Sequence, residues 1–187
     1  MAILDIRGTH GSGKSWVVNS LLKSHTREAI KEDGIQLGYW LKELDTVVVG
    51  KYETDCGGCD GIKTADEVVR RVRKFASDPR FRNVVLEGIL VSHSFKRYSQ
   101  LALEIPDYKF LFLDTPLDVC ISRVRSRRQA GGNSKPLDPK HLTKDWHAIW
   151  ERIRVKCLEA GHYAGVLNHK NPMPVVLSLL RGSHGNI

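Results

Sequence analysis

The stretch Ala2-Ile3-Leu4-Asp5-Ile6-Arg7-Gly8-Thr9-His10-Gly11-Ser12-Gly13-Lys14-Ser15 joins a short apolar run to the pattern G-x-x-x-x-G-K-[ST]. Residues 16–22 follow with apolar side chains at helical spacing. A buried strand, a glycine-rich turn and a helix in this order form the context in which the pattern binds phosphate. The glycines let successive backbone N–H groups point inward, at the positive end of the new helix. The stretch therefore predicts a nucleoside triphosphate site.

The residues of this loop have distinct expected roles. Lys14 is expected to reach the β and γ phosphates, and the Ser15 hydroxyl is expected to ligate Mg²⁺. The whole segment is expected to cradle the phosphates: Gly8, Thr9, His10, Gly11, Ser12, Gly13, Lys14 and Ser15. A glycine-rich turn with a chance lysine is the alternative, which the fit of strand, loop and helix disfavours.

Apolar strands and helical patterns alternate along the chain. The predicted strands cover residues 2–7, 46–49, 83–87, 109–114 and 164–168. The predicted helices cover about 14–23, 64–76, 116–124, 139–160 and 174–180. This order predicts an α/β three-layer sandwich with a five-stranded parallel sheet and helices on both faces. One domain over residues 1–187 is expected, and residues 35–41 fit either a further strand or a turn of helix.

The composition shows a basic chain without export or membrane signals. Its 187 residues contain 29 Lys and Arg against 21 Asp and Glu, a formal charge of +8, which suits a polyanionic partner. The sequence has no signal-peptide pattern and no apolar stretch near the ~20 residues of a membrane span. Its four cysteines are better explained as reduced thiols than as disulfides. We therefore expect a cytoplasmic protein.

Two segments concentrate the positive charge. The first holds six cations against Asp78 alone: Arg70, Arg71, Arg73, Lys74, Arg80 and Arg82. The second holds seven cations against Asp138 alone: Arg123, Arg125, Arg127, Arg128, Lys135, Lys140 and Lys144. The first segment fits either the solvated face of a helix or a contact with a phosphate backbone. The second fits nucleotide handling and nucleic-acid binding equally well.

Polar residues at the carboxyl ends of the strands are site candidates, because ligands of open α/β sheets bind there. Glu87 is expected to hold Mg²⁺ through water or to take the acceptor proton; the alternative is a strand-end acid satisfied by nearby N–H groups. Asn168 follows the last strand, next to where an adenine would lie. Asp114 is expected to be structural, as the cap of the helix that begins at Pro116. Thr64 is expected to cap the helix predicted over residues 64–76.

The loop at residues 50–61 would lie across from the γ phosphate. Asp60 is favoured over Asp55 as the carboxylate that orients or deprotonates the acceptor. Adjacent glycines allow close approach of a substrate to the backbone, and a tyrosine offers stacking to a base. The expected substrate-binding residues are Tyr52, Asp55, Gly57, Gly58 and Asp60.

Cys56 and Cys59 in the same loop form a C-x-x-C pair. Zinc needs four ligands, and no second pair stands at suitable spacing. We therefore expect these thiols to pack as small apolar groups.

Arginines precede a glycine-rich stretch at residues 129–136. A basic flap of this kind can close over phosphates and exclude water, which predicts a lid at about residues 123–139. Arg127 and Arg128 are the expected transition-state contacts, and Arg123 is expected to stack on adenine. The alternative is an ordinary surface helix.

The chain resembles a group of bacteriophage P-loop kinases that phosphorylate 5-hydroxymethyluracil already incorporated in DNA. The resemblance reaches about residue 180 and rests on these segments: Gly8 to Ser15, Gly-Lys-Tyr-Glu-Thr-Asp-Cys-Gly-Gly-Cys-Asp-Gly at 50–61, Leu-Glu-Gly-Ile-Leu-Val-Ser at 86–92, Phe-Leu-Asp-Thr-Pro at 112–116 with Cys120, and the arginine pair at 127 and 128. The phrase containing Cys-Gly-Gly-Cys-Asp is the distinctive one.

The resemblance implies a P-loop kinase-like fold, with ATP and Mg²⁺ as cofactors and modified DNA as substrate, in the host cytoplasm. It implies phosphorylation of the hydroxymethyl group as a step of thymine hypermodification. The runner-up is a deoxynucleoside or thymidylate-type monophosphate kinase, which shares the fold and the lid. A nucleotide-dependent binding switch is the third hypothesis.

Overall fold

The computed structural model describes residues 1–53, 57–132 and 135–182. Seven strands are present in these ranges: β1 Ala2–Arg7, β2 Arg27–Glu32, β3 Ile35–Leu41, β4 Thr46–Val49, β5 Asn83–Glu87, β6 Tyr108–Leu113 and β7 Tyr163–Leu167. The α-helices are α1 Lys14–Ser24, α2 Ala65–Ala76, α3 Ile89–His93, α4 Lys96–Glu104, α5 Leu117–Ala130, α6 Pro139–His147, α7 Arg154–Glu159 and α8 Met173–Leu180. None of these helices is long and apolar enough to cross a membrane.

The strands form one sheet in the order β2-β3-β4-β5-β1-β6-β7. The five strands from β4 to β7 in this order are parallel, whereas β2, β3 and β4 pair antiparallel. The α/β prediction is confirmed, but the predicted five-stranded parallel sheet is wrong, because the sheet is mixed and has seven strands. Strand β2 is not evident from the sequence, because its residues Arg27–Glu32 are mostly charged and exposed. Residues 35–41, for which the sequence allowed either a strand or a turn of helix, form the strand β3.

Alternate residues of the central strands pack on opposite faces of the sheet. On β6, Phe110 joins the core under α2 and α4, and its neighbour Leu111 joins the core under α1 and α8. Helices therefore cover both faces, as predicted, because a parallel strand buries both of its sides. The carboxyl ends of β1, β5 and β6 consequently meet at one edge of the sheet.

The starts of α2 and α5 and the helix predicted over residues 139–160 can be compared with the local sequence predictions. Thr64 caps α2 as predicted, since its side chain accepts the N–H of Glu67 at 3.1 Å. The prediction that Asp114 caps α5 is wrong: Pro116 occupies the N-cap position, and Asp114 Oδ1 instead accepts the N–H of His169 at 2.7 Å. The helix predicted over 139–160 contains a π-helical turn, Ala148–Ile153, between α6 and α7.

Candidate active site

The segment from Gly8 to Ser15 turns from the end of β1 into α1. Gly11 and Gly13 have φ angles of +77° and +103°, in the left-handed region that favours glycine. A Cβ atom at Gly11 would lie 2.5 Å from the carbonyl oxygen of Cys120. The loop is therefore a backbone turn packed closely against α5.

Three side chains outside the glycine pattern hold this loop. Ser92 Oγ accepts the N–H of Gly8 at 3.2 Å. Thr115 Oγ1 donates to the carbonyl oxygen of Ser12 at 2.6 Å, and Arg123 Nη1 donates to the same oxygen at 3.4 Å. Sequence analysis missed the role of Ser92, because the contact joins residues 84 positions apart and no local pattern marks it.

Lys14 is buried against the backbone of the loop. Its Nζ donates to the carbonyl oxygens of Gly8 at 2.8 Å and of Thr9 at 3.0 Å. Burial lowers the pKa of Lys14, and the Glu87 carboxylate acts in the opposite direction. The predicted phosphate-binding ammonium group therefore lies within the electrostatic reach of the predicted metal ligand.

Glu87 comes to this edge because β5 lies beside β1 with Glu87 opposite Ile6. Ser15 Oγ donates to Glu87 Oε1 at 3.1 Å. Burial raises the pKa of Glu87 to about 7, while Lys14 lowers it and Asp60 raises it further. The structure thus brings the two predicted metal ligands into contact.

Several buried oxygens around this edge have no hydrogen-bond partner within the described residues, among them Thr9 Oγ1, Ser12 Oγ and Glu87 Oε2. Buried polar atoms are nearly always paired with protein, water or ligand. Mg²⁺ is usually held by one or two carboxylates together with phosphate and water. Glu87 Oε2 and the Ser15 hydroxyl fit this donor set. Within the described ranges, this edge included, no group of three His, Cys, Asp or Glu side chains could hold a metal ion.

The loop after β4 lies over Glu87. At Gly58, where φ is +76°, a Cβ atom would lie 2.3 Å from Glu87 Oε1 and 2.9 Å from the Tyr52 hydroxyl. A Cβ atom at Gly57 would lie 2.5 Å from the carbonyl oxygen of Lys51. These two glycines therefore let the backbone approach the carboxylate, and the Tyr52 side chain is buried beside it.

Asp60 caps the short helix α3. Its Oδ1 and Oδ2 accept the N–H of Ile89 at 2.8 and 3.0 Å. At the other end of α3, the Arg7 guanidinium donates to the carbonyl oxygens of Ser92 and Ser94 at 3.5 and 3.3 Å. The helix therefore connects the loop that carries Asp60 with the strand that leads into the loop at residues 8–15, here called the nucleotide loop after its predicted role.

The cysteine loop is described only in part. Cys59 packs in the apolar core under α2, and burial raises the pKa of its thiol well above the usual value. The expectation that this thiol packs as an apolar group is confirmed. Cys56 and Asp55, with the substrate role predicted for Asp55, lie outside the described residues.

A cavity of about 490 Å³ lies on the α1 side of the loop. Its polar and aromatic lining includes Ser12, Trp16, Arg123, His169 and Lys170. Asn168, predicted to contact the base, is exposed, and its Oδ1 accepts the N–H of Lys170 at 2.9 Å. The cavity is thus lined by His169 and Lys170, which follow Asn168, and by Arg123, which was predicted to stack on adenine.

Arg127 and Arg128 lie in different surroundings. Arg127 is exposed, and its charge lowers the pKa of both His10 and Lys14, after the larger effect of burial. Arg128 is half-buried and lines a separate cavity of about 590 Å³ with Arg125. The structure therefore brings Arg127, but not Arg128, toward the nucleotide loop.

A group of histidines around Asp145 was not foreseen. Buried Asp145 lies 3.0 Å from His141 Nδ1 and 3.5 Å from His93 Nε2. Burial lowers the pKa of His93 and of His10, and the charge of Asp145 opposes both shifts. His141 and Asp145 are four residues apart on α6, but no sequence spacing relates residue 93 to them. The group is complete only because α3 packs beside the π-helical turn that follows α6.

Comparison with known proteins gives a consistent result. The model of a family described as "5-hmdU DNA kinase" matches residues 2–168. A "5-hmdU DNA kinase" of Pseudomonas phage PaMx11 is 33% identical over 146 residues, covering 74% of this chain and 76% of that protein. Proteins of the same name in Delftia phage PhiW-14 and Pseudomonas phage M6 are 28% and 27% identical, over 85% and 86% of this chain and 65% and 88% of their own lengths.

Gly58→Ala is expected to destabilise the protein. The new methyl group would collide with Glu87 Oε1 at a residue whose φ is +76°, which costs about 1–3 kcal/mol. Gly61→Ala is the matched control, because nothing lies within 4 Å of a Cβ atom there. Urea unfolding of both variants checks the expectation, and equal midpoints would contradict it.

Glu87→Gln is expected to stabilise the ligand-free protein at alkaline pH. The carboxyl titrates near 4.5 in the unfolded chain but near 7 when folded, so the folded state loses stability as the pH rises between these values. Removing the group should raise the free energy of unfolding at pH 8 by up to about 3 kcal/mol. Urea unfolding at pH 4.5 and pH 8 measures this. A gain of the same size at both pH values would argue against it.

Proposed function

The chain belongs to the 5-hmdU DNA kinase family, and from that membership we propose that it phosphorylates the hydroxymethyl group of 5-hydroxymethyluracil in DNA, as a step of phage thymine hypermodification. The observation that carries the proposal is the placement of Lys14, Ser15 and Glu87 together at the end of β1 and β5. Phosphoryl transfer requires a phosphate cradle, metal ligands, cations over the migrating group and a carboxylate near the acceptor. The residues at this edge offer each of these parts.

A kinase family implies ATP as the phosphate donor. We propose that residues 8–15 bind its phosphates through backbone N–H groups and Lys14, as a P-loop in a P-loop kinase-like fold. Ser15 and Glu87 would hold Mg²⁺, which supplies positive charge at the phosphates when bound. The unpartnered oxygens of Thr9 and Glu87 support this assignment. The cavity lined by Arg123 is the proposed place of the adenine, with Asn168 at its rim.

The acceptor side is proposed to be the loop over Glu87. Tyr52, Gly57 and Gly58 would lie beside the modified base, and Asp60 would orient the hydroxyl or take its proton. The N–H of Ile89 fixes the orientation of the Asp60 carboxylate. Glu87 is the second candidate for the base, because a pKa of about 7 suits a proton acceptor at neutral pH.

We further propose that residues 123–139 act as a lid on a single domain formed by residues 1–187. Arg123 already contacts the loop carbonyls of Gly11 and Ser12. Arg127 lies near Lys14, where a guanidinium can stabilise charge on a migrating phosphoryl group. Arg128 would reach the phosphates only after movement of α5.

An acceptor panel tests the function. The protein is incubated with γ-labelled ATP, Mg²⁺ and, in turn, DNA containing 5-hydroxymethyluracil, ordinary DNA, and free deoxynucleosides and monophosphates. We expect label in the modified DNA alone, and Lys14→Ala should abolish it, whereas Lys23→Ala on the exposed face of α1 should not. Label only in free nucleotides would indicate a nucleotide kinase, and phosphate release without any acceptor would indicate a switch.

Asp60→Asn tests the assignment of the base. Asparagine keeps an oxygen for the N-cap of α3 but cannot take a proton, so kcat should fall by about 10²–10⁴ while the KM for ATP changes little. Asp60→Ala is the control, because alanine also removes the oxygens that accept the N–H of Ile89. Its thermal unfolding measures how much stability is lost with this cap. Normal turnover of Asp60→Asn would transfer the role to Glu87.

A further inference from the structure

The two basic segments differ in whether their charges are already neutralised. In the first, nearly every cation has a carboxylate partner: Arg70 with Glu67 at 2.7 Å and Glu32 at 3.3 Å, Arg71 with Glu67 at 2.7 Å, Arg73 with Glu104 at 2.8 Å, Lys74 with Glu32, and Arg80 with Asp78 at 2.6 Å. Hydrogen bonds from Arg70 and Arg71 lower the pKa of Glu67 to about 2. Much of the opposing charge comes from β2 and α4, which are distant in sequence. This surface therefore presents little net charge to a polyanion.

Three cations of the second segment differ from those of the first. Arg125, Lys140 and Lys144 are exposed, and the described residues form no ion pair with any of them. The carboxylate of Asp138 is engaged in capping α6, where it accepts the N–H of Lys140 at 2.9 Å. Asp145 faces His93 and His141. The acids on α6 are therefore directed to other partners.

The position of α5 relates this charge to the proposed reaction. Arg123 fixes the helix to the nucleotide loop, and Arg125 and Arg128 follow within about 8 Å along the axis at 1.5 Å per residue. Cys120 and Val124 of α5 pack against Leu142 of α6, which joins the two helices. The cavity that Arg125 and Arg128 line contains no residue of the nucleotide loop. Arg125 therefore lines a surface that is separate from the loop proposed to bind ATP.

We propose that Arg125, Lys140 and Lys144, here called the α5–α6 face, bind the phosphate backbone of the DNA substrate. The first basic segment, here called the α2 segment and comprising α2 and the residues up to Arg82, does not. The proposal rests on the proposed function and adds the surface by which the polymer is held. Unpaired cations release counterions from DNA when they bind phosphates, whereas cations already paired with carboxylates would first have to break those pairs. The face would supply affinity without sequence preference, since phosphate contacts carry no base information.

Two charge-matched triple variants test the proposal. Arg125→Gln/Lys140→Gln/Lys144→Gln and the control Arg73→Gln/Lys74→Gln/Arg80→Gln each lower the formal charge from +8 to +5, a change of three. Binding of an ordinary duplex, which needs no turnover, is measured by fluorescence anisotropy over a range of KCl concentrations. The α5–α6 triple should weaken binding at least tenfold near 0.1 M salt and reduce the slope of log K against log[salt] by about 2–3. The α2 triple should change the slope by less than about 1.

Equal losses in both variants would show that net charge alone governs binding, and no loss in the α5–α6 triple would show that the DNA lies elsewhere; either result overturns the proposal. Thermal unfolding checks that each triple is folded. Lys140→Gln/Lys144→Gln, confined to exposed side chains, provides a milder variant with an expected slope change of about 2. Because binding is measured on unmodified DNA, failure of the phosphorylation assay would leave this result interpretable.

Discussion

The pairing of β1 with β5 is the constraint on which the site depends. Parallel register places Glu87 opposite Ile6, so a buried carboxylate and a glycine loop emerge at the same sheet edge. The loop cannot bring its own anion, because its pattern contains glycines, a lysine and hydroxyl residues. The neighbouring strand supplies that charge, and burial between covered faces of the sheet holds its pKa near neutrality. The proposed metal binding and the proposed proton transfer both rest on this one arrangement.

The short helix α3 connects the two halves of the site. Asp60 holds its first N–H groups, and Arg7 holds its last carbonyl oxygens. Ser92, within the same helix, accepts the first N–H of the nucleotide loop. The loop that carries Asp60 and the loop at residues 8–15 therefore contact the same short helix, and a displacement of either would be felt by the other.

Local patterns predicted the parts of this protein that local physics determines. The strand and loop at residues 2–15 and the Thr64 cap follow from neighbouring residues, so the sequence sufficed for them. The strand β2 did not follow, because its side chains are charged and it is stabilised by pairing with β3 rather than by burial. The helix that Asp60 caps and the carboxylates of Glu32 and Glu104, which pair with cations of α2, belong to remote segments, so no count of nearby charges reveals them. The resemblance to the kinase family was recognised from extended sequence segments such as residues 50–61, not from composition.

The π-helical turn at Ala148–Ile153 divides what would otherwise be one continuous α-helix into two parts with different contacts. An i→i+5 turn takes up about one residue more than an α turn, which offsets the faces on either side by about 100°. Asp145 can therefore be aimed at the histidines near the nucleotide loop while Cys157, farther along, is fully enclosed by the sheet core. In evolutionary terms, insertions and deletions should be poorly tolerated within this turn, since a shift of a single residue would rotate every later side chain of the helix by about 100° and turn Cys157 away from the core.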